Sequence, residues 1–212
     1  MKISILTLFP ESIEGYLNSS MIRKARQIGA LSVSVINPRG YTRDKHRKAD
    51  DRSYGGGPGM VMKAEPILRA ISKFRNLDIS KCKYVITSPR GKQFTNKLAD
   101  TWIKKYKNIV LIAGHYEGID ARVKKILKAE EISVGPYTLT GGELPALIMI
   151  DAITRRLPGV LGKRESLEES RVASGEVYTR PESFKYKGKN FKVPKILLSG
   201  HHKKIEVWRS KT

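Results

Sequence analysis

Residues 109–156 read IVLIAGHYEGIDARVKKILKAEEISVGPYTLTGGELPALIMIDAITRR, and this stretch decides the fold. Ile109–Ala113 is a short apolar run closed by Gly114, the pattern of a strand buried on both faces. Residues 119–128 place Val123, Ile126 and Leu127 at helical spacing among lysines, so they predict a basic amphipathic helix. Glu131–Val134 is a second short strand, and 143–156 is a helix with an apolar first half. Strand, helix, strand, helix in sequence is the signature of a parallel sheet with crossover helices.

Working outward, the same alternation continues toward the N-terminus. Lys2–Leu8, Leu31–Ile36 and Tyr84–Thr87 read as strands. Ser12–Gly29 reads as one helix with Gly29 beyond its C-terminus, followed later by helices at 65–74 and 95–106. The expected class is α/β with a mainly parallel sheet. Two segments break the rhythm. Residues 38–63 form a long polar, Gly-rich connection, a length that usually signals function. From Leu157-Pro158-Gly159 to about Ser170 the chain is charged and weakly patterned, which reads as a linker. The expected division is therefore 1–157, a linker at 158–170, and a short basic unit at 171–212 that is poor in strand pattern. Within that unit Ser199 is a candidate cap for a last helix carrying Ile205 and Trp208.

The chain has 212 residues, enough to bury a core without disulfide or metal staples. Its 40% hydrophobic and 29% charged residues suit a folded protein in water. The longest strongly apolar run, Ala146 to Ile150, is closed by Asp151, far short of the ~20 residues of a membrane span. The N-terminus lacks the basic start and long apolar core of a signal peptide, so a cytoplasmic location is expected. The single cysteine, Cys82, excludes an internal disulfide and a Cys-rich zinc site. With 41 Lys+Arg against 20 Asp+Glu the formal charge is +21, which points to a polyanionic partner, nucleic acid first. Residues 180–212 alone carry ten Lys/Arg and two Glu.

The Gly-rich run Tyr54–Met60 lacks the Lys-Ser/Thr of a P-loop and the setting of a dinucleotide fingerprint. The basic residues Arg39, Arg43, Lys45, Arg47, Lys48 and Arg52, interleaved with Tyr41, His46 and Tyr54, suit looped RNA or a plain solvated loop. Three segments sit at expected strand ends: Thr87–Gly91, Gly114–Asp120 and Val134–Glu143. Open α/β sheets bind ligands there. Glycines in all three would let backbone approach a ligand closely. His46, His115, His201 and His202 form no HExxH, and there is no GxSxG, so hydrolase chemistry has no local support.

The stretches LFPE (8–11), DDRSYGGGPGM (50–60), SPRG (88–91), GHYEGID (114–120), SVGPYTLTGGELPA (133–146), PGVLG (158–162), YTRPE (178–182) and LLSGHH (197–202) follow one another along nearly the whole chain. In this combination the sequence resembles the bacterial tRNA (guanine-37-N1)-methyltransferases, members of the trefoil-knot (SPOUT) methyltransferases. The resemblance implies a deep trefoil knot at the C-terminal end of the 1–157 domain, S-adenosylmethionine (AdoMet) as methyl donor, and a homodimer with a shared active site. The substrate would be the tRNA anticodon stem-loop, with no membrane partner. The third unit would be a short, truncated, basic helical domain for tRNA.

Carried over by position, the AdoMet site would use Ile86, Thr87, Ser88, Pro89, Gly114, Tyr116, Glu117, Ser133, Val134, Gly135, Pro136, Tyr137, Thr138, Leu139, Gly141, Gly142 and Pro145. Glu117 is the acidic position to which the family's magnesium dependence would attach. Arg155 matches an arginine near the guanine and the catalytic acid. The family's linker carries a catalytic Asp followed by Ser; here the alignment, with one small gap after Gly162, puts Glu169 before Ser170. Glu is one methylene longer, a reach change of ~1.5 Å where ~1 Å of misplacement costs ~100-fold. Glu169 would be the general base and Arg155 the group facing guanine O6. The plainer readings are a solvated linker acid and a helix-end arginine meeting the last carbonyls. The alternative function is a catalytically impaired RNA-binding homologue on the same fold.

Overall fold

Ile3 and Ile5 point to one side of the first strand, Leu6 to the other, and all three are buried. A strand buried on both faces belongs in the middle of a layered sheet. The computed structural model describes residues 1–73, 82–161 and 176–211 and shows that sheet. Strands β1 (Lys2–Leu6), β2 (Ser32–Ile36), β5 (Cys82–Gln93), β6 (Asn108–Ile112) and β7 (Glu130–Ser133) are all parallel, in the order β2-β1-β6-β5-β7. Side-chain alternation splits the core in two. Ile3, Ile5, Val85, Ile109, Leu111 and Ile132 face helices α1 (Glu11–Leu17), α2 (Ser20–Gln27), α4 (Asn96–Lys105) and α6 (Glu143–Thr154). Leu6, Ile86, Val110 and Ile112 face α3 (Ala64–Ser72) and α5 (Ala121–Leu127). The α/β class and the parallel sheet expected from the sequence are present.

Four details differ from the sequence reading. The helix expected over Ser12–Gly29 is two helices. Ser19 Oγ donates to the Tyr16 carbonyl at 2.9 Å, and Ser20 adopts φ 44°, so polar side chains end α1 locally. Gly29 does take the left-handed conformation after α2, at φ 72°. The loop expected over 38–63 contains a 3₁₀ turn at Pro38–Tyr41 and an antiparallel hairpin, β3 (Asp50–Arg52) with β4 (Met60–Met62). Three-residue strands give too little alternation to be read.

The third difference concerns Ser88-Pro89-Arg90-Gly91, which interrupts β5 rather than ending it. Thr87 and Lys92 both pair with Ile132 of β7, with the register break between them. A Cβ on Gly91 would lie 2.4 Å from the Glu131 carbonyl carbon, so only glycine fits this crossing.

The chain divides into two compact units, Met1–Leu161 and Gly162–Thr212. The second holds the fourth difference, a hairpin of β8 (Ser183–Tyr186) and β9 (Lys189–Lys192), followed by α7 (Lys195–Leu198) and α8 (His202–Lys211). Ser199 ends α7, its Oγ donating to the Ile196 carbonyl at 2.7 Å, and it also accepts from His201 N–H at 3.3 Å just ahead of α8. Among the described residues no helix is long and apolar enough to cross a membrane.

Candidate active site

The interruption of β5 and the carboxyl ends of β6 and β7 open into a cavity of about 640 Å³. It is walled by the three segments singled out above: 86–90, 114–121 and 131–142, with Pro145 from the start of α6. Fifteen of the seventeen positions carried over for AdoMet line it. Gly135 and Pro136 do not. The turn they form is held from within, Ser133 Oγ donating to the Gly135 carbonyl at 2.9 Å, and Gly135 lies against the Tyr137 ring.

Close backbone approach explains the glycines. Gly142 N–H donates to the Gly114 carbonyl at 2.7 Å, and a Cβ on Gly142 would meet Thr87 Oγ1 at 2.0 Å and Gly114 N at 2.6 Å. Thr87 Oγ1 in turn donates to the Ile112 carbonyl at 3.3 Å and accepts from Gly114 N–H at 3.1 Å. One buried threonine therefore fastens β5 to the end of β6, and Gly142 brings the start of α6 against both. Behind this junction Thr7 Oγ1 donates to Glu143 Oε1 at 2.6 Å, tying β1 to the first turn of α6 across a sequence gap of 136 residues.

The 114–120 wall is braced from the β3–β4 hairpin. Glu117 N–H donates to Met60 O at 3.0 Å, Met62 N–H to Gly118 O at 2.9 Å, and Asp120 N–H to Met62 O at 3.0 Å. A Cβ on Gly59 would lie 2.3 Å from Glu117 Cγ. The Gly-rich run is thus half support and half open tip: Gly59 packs on the pocket wall, while Gly55, Gly56 and Gly57 take positive φ at the hairpin end. Asp120 caps α5 by accepting from Arg122 N–H at 2.9 Å. The Arg122 side chain on Asp120 holds that carboxyl below its ordinary range.

Sequence reasoning missed several wall residues. In the sequence His115 draws attention only as a candidate for hydrolase chemistry. Its Nδ1 lies 3.0 Å from the Thr140 carbonyl, where it donates, and Gly141 forms a β-bridge with it, so His115 joins the 114–120 and 134–142 walls. Phe9, from the LFPE stretch, packs edge-on against the His115 ring at 4.7 Å. Lys124 and Glu131 form an ion pair at the rim. The signal for His115 was its place inside GHYEGID; for Lys124 and Glu131 no local signal existed.

The two expected catalytic groups do not join the cavity within the described chain. Arg155 ends α6, its N–H donating to Asp151 O at 3.1 Å. Gly142, in the cavity wall, caps the other end of this 12-residue helix, so Arg155 stands ~20 Å from it along the axis at 1.5 Å per residue. Glu169 lies outside the described residues. Among the described residues no three His, Cys, Asp or Glu side chains converge on a metal-sized site.

Comparison with known proteins adds the following. The family model described as tRNA (guanine-1)-methyltransferase TrmD matches residues 1–212. The chain is 45% identical over 214 residues to the tRNA (guanine-N(1)-)-methyltransferase of Moorella thermoacetica, covering 99% of this chain and 84% of the relative. Identity is 46% over 215 residues with the protein of that name from Carboxydothermus hydrogenoformans, covering 100% and 82%. With that of Bacillus subtilis it is 44% over 215 residues, covering 100% and 86%.

Proposed function

The chain belongs to the tRNA (guanine-1)-methyltransferase family, and from that premise we propose that it methylates N1 of guanine 37 in tRNA, beside the anticodon, with AdoMet as donor. The observation that carries this reading is the glycine-walled cavity at the interruption of β5 and the ends of β6 and β7. AdoMet, when bound, supplies an electrophilic methyl group on a sulfonium sulfur. The residues present fit such a ligand. The backbone of 86–89, 114–118 and 132–142 offers amide and carbonyl groups for its polar parts, and Ile86, Leu139 and Pro145 offer apolar surface for a base. Gly142 and Gly114 leave that backbone bare.

The first unit is a deep trefoil knot in this reading. Its support is Ile132 pairing with both Thr87 and Lys92: a strand residue has two edges, so segment 88–93 passes over β7. The knot holds the walls at fixed spacing without a disulfide, and alignment of donor and nucleophile lowers the entropic barrier.

Neutral guanine carries a proton on N1, which must leave as the N1–methyl bond forms and the carbon–sulfur bond breaks. Glu169 takes that proton as general base. Arg155 donates to guanine O6, where negative charge develops. The ~15 Å of helix between Pro145 in the cavity wall and Arg155 supports a homodimer in which one subunit supplies Arg155 to the other's pocket. Exposed Leu144 and Ile148 on α6, beside exposed Tyr16 on α1, form an apolar face suited to a second copy. A magnesium ion, if used, would find Glu117 at the cavity and complete its shell with water or substrate oxygens. The guanine leaves the loop stack to reach the site. Lysines and arginines of 39–52 and of 180–211 hold phosphates of the anticodon stem-loop.

The test is methyl transfer from labelled AdoMet to unmodified tRNA with guanine at 37, against the same tRNA with adenine there, using wild type and Glu169→Ala. Transfer that needs the guanine and drops at least ~100-fold in the variant supports both function and base. Undiminished transfer by Glu169→Ala discards the base assignment alone. Binding of AdoMet and tRNA without transfer discards the enzyme reading in favour of an impaired RNA-binding homologue.

A further inference from the structure

The β8–β9 ribbon pairs Phe184 with Phe191 and Tyr186 with Lys189, so these four side chains share one face. Ser183, Lys185, Asn190 and Lys192 occupy the other. Lys187 and Gly188, at φ 49° and 78°, make the tight two-residue turn that suits a right-twisted hairpin. All eight strand residues are exposed; Phe184, Tyr186 and Phe191 are 56%, 59% and 47% accessible. The two phenyl rings lie nearly parallel, 21° apart at 5.7 Å, and Lys187 Nζ sits 5.4 Å from the Tyr186 ring centre.

Three flat rings on a ribbon with four lysines from 185 to 192 and no acid between them ask for a partner that is both flat and polyanionic. We propose that this ribbon is a stacking platform for unpaired RNA bases, with Phe184, Phe191 and Tyr186 taking the bases and Lys185, Lys187, Lys189 and Lys192 the phosphates. The choice of RNA rests on the proposed tRNA-modifying function. Sheet-borne aromatics stack on splayed-out bases, whereas the bases of a duplex are already stacked and shielded. An anionic lipid surface would take the same charge, but it is better served by a long amphipathic helix than by four-residue strands.

The experiment uses the whole protein and a labelled seven-nucleotide single-stranded RNA, with an abasic strand of equal length as control, titrated by fluorescence anisotropy across a salt series. Phe184→Ala/Phe191→Ala is expected to weaken the RNA about 10-fold or more at every salt concentration, leaving the salt slope and the abasic strand unchanged. Lys185→Gln/Lys192→Gln is expected to lower the slope by about 1.4, two single-strand phosphates. Phe184→Tyr/Phe191→Tyr keeps flat rings and is expected to keep affinity, which separates stacking from misfolding. Equal binding by the alanine variant, equal weakening on the abasic strand, or preference of wild type for anionic vesicles over RNA overturns the proposal. Methyl transfer to tRNA is measured alongside. If it is absent while ring-dependent RNA binding persists, the methyltransferase reading fails and the platform stands. If it is present without ring dependence, only the platform fails.

Discussion

Thr7 is completely buried one residue beyond β1, and removing its hydroxyl tests how the site is anchored. Its Oγ1 donates to Glu143 Oε1 at 2.6 Å and accepts from Phe9 N–H at 2.9 Å. Thr7→Val keeps the shape and strands both partners. Each stranded buried group costs about 1–3 kcal/mol, so the pair is worth about 2–6 kcal/mol. At about 2–4 °C per kcal/mol for a chain of this size, Tm falls by about 4–24 °C. Thr7→Ser retains the hydroxyl and loses one methyl group, about 1 kcal/mol and so about 2–4 °C. Glu143 directly follows Gly141 and Gly142, and a Cβ on Gly141 would lie 2.3 Å from Glu143 Oε2, so the same loosening reaches the cavity wall. Thermal unfolding by circular dichroism, with and without AdoMet, reads both effects. A valine variant within about 1 °C of wild type, or valine and serine variants falling equally, would refute the anchoring argument.

Three further outcomes are expected. Gly142→Ala should abolish AdoMet binding in calorimetry, because the added Cβ would meet Thr87 Oγ1 at 2.0 Å and Gly114 backbone at 2.6 Å; Gly188→Ala, which is not among the residues lining the cavity, should leave that binding intact. Asp120→Ala should destabilise the protein by about 1 kcal/mol through loss of the α5 cap. Since the Asp120 carboxyl lies below its ordinary range, its contribution is present above the unfolded value near pH 4 and lost as pH falls through the depressed one. Urea midpoints for wild type and variant should therefore converge in strong acid. If the proposed homodimer forms through the exposed face of α6, Ile148→Glu should shift it to monomer in light scattering and lower methyl transfer more than AdoMet binding.

The local chemistry of the chain settled its elements. A short apolar run closed by glycine announced β6, and alternating apolar residues around Ile3 and Ile5 announced β1 as a strand. Motif content announced the family and fifteen residues of the cavity lining. Elements too short to show a period, β3, β4, β8 and β9, stayed hidden, as did the break between α1 and α2, where single serine side chains decide. What only the tertiary structure decided is proximity between segments far apart in sequence. Thr7 meets Glu143, Met60 braces Glu117, Ile132 pairs with both Thr87 and Lys92, and His115 reaches Thr140. It also decided separation: α6 carries Arg155 ~20 Å along its axis from Gly142, which helps to build the pocket. Periodicity and propensity act over a few residues, whereas these distances are set by how layers stack and which strand lies beside which.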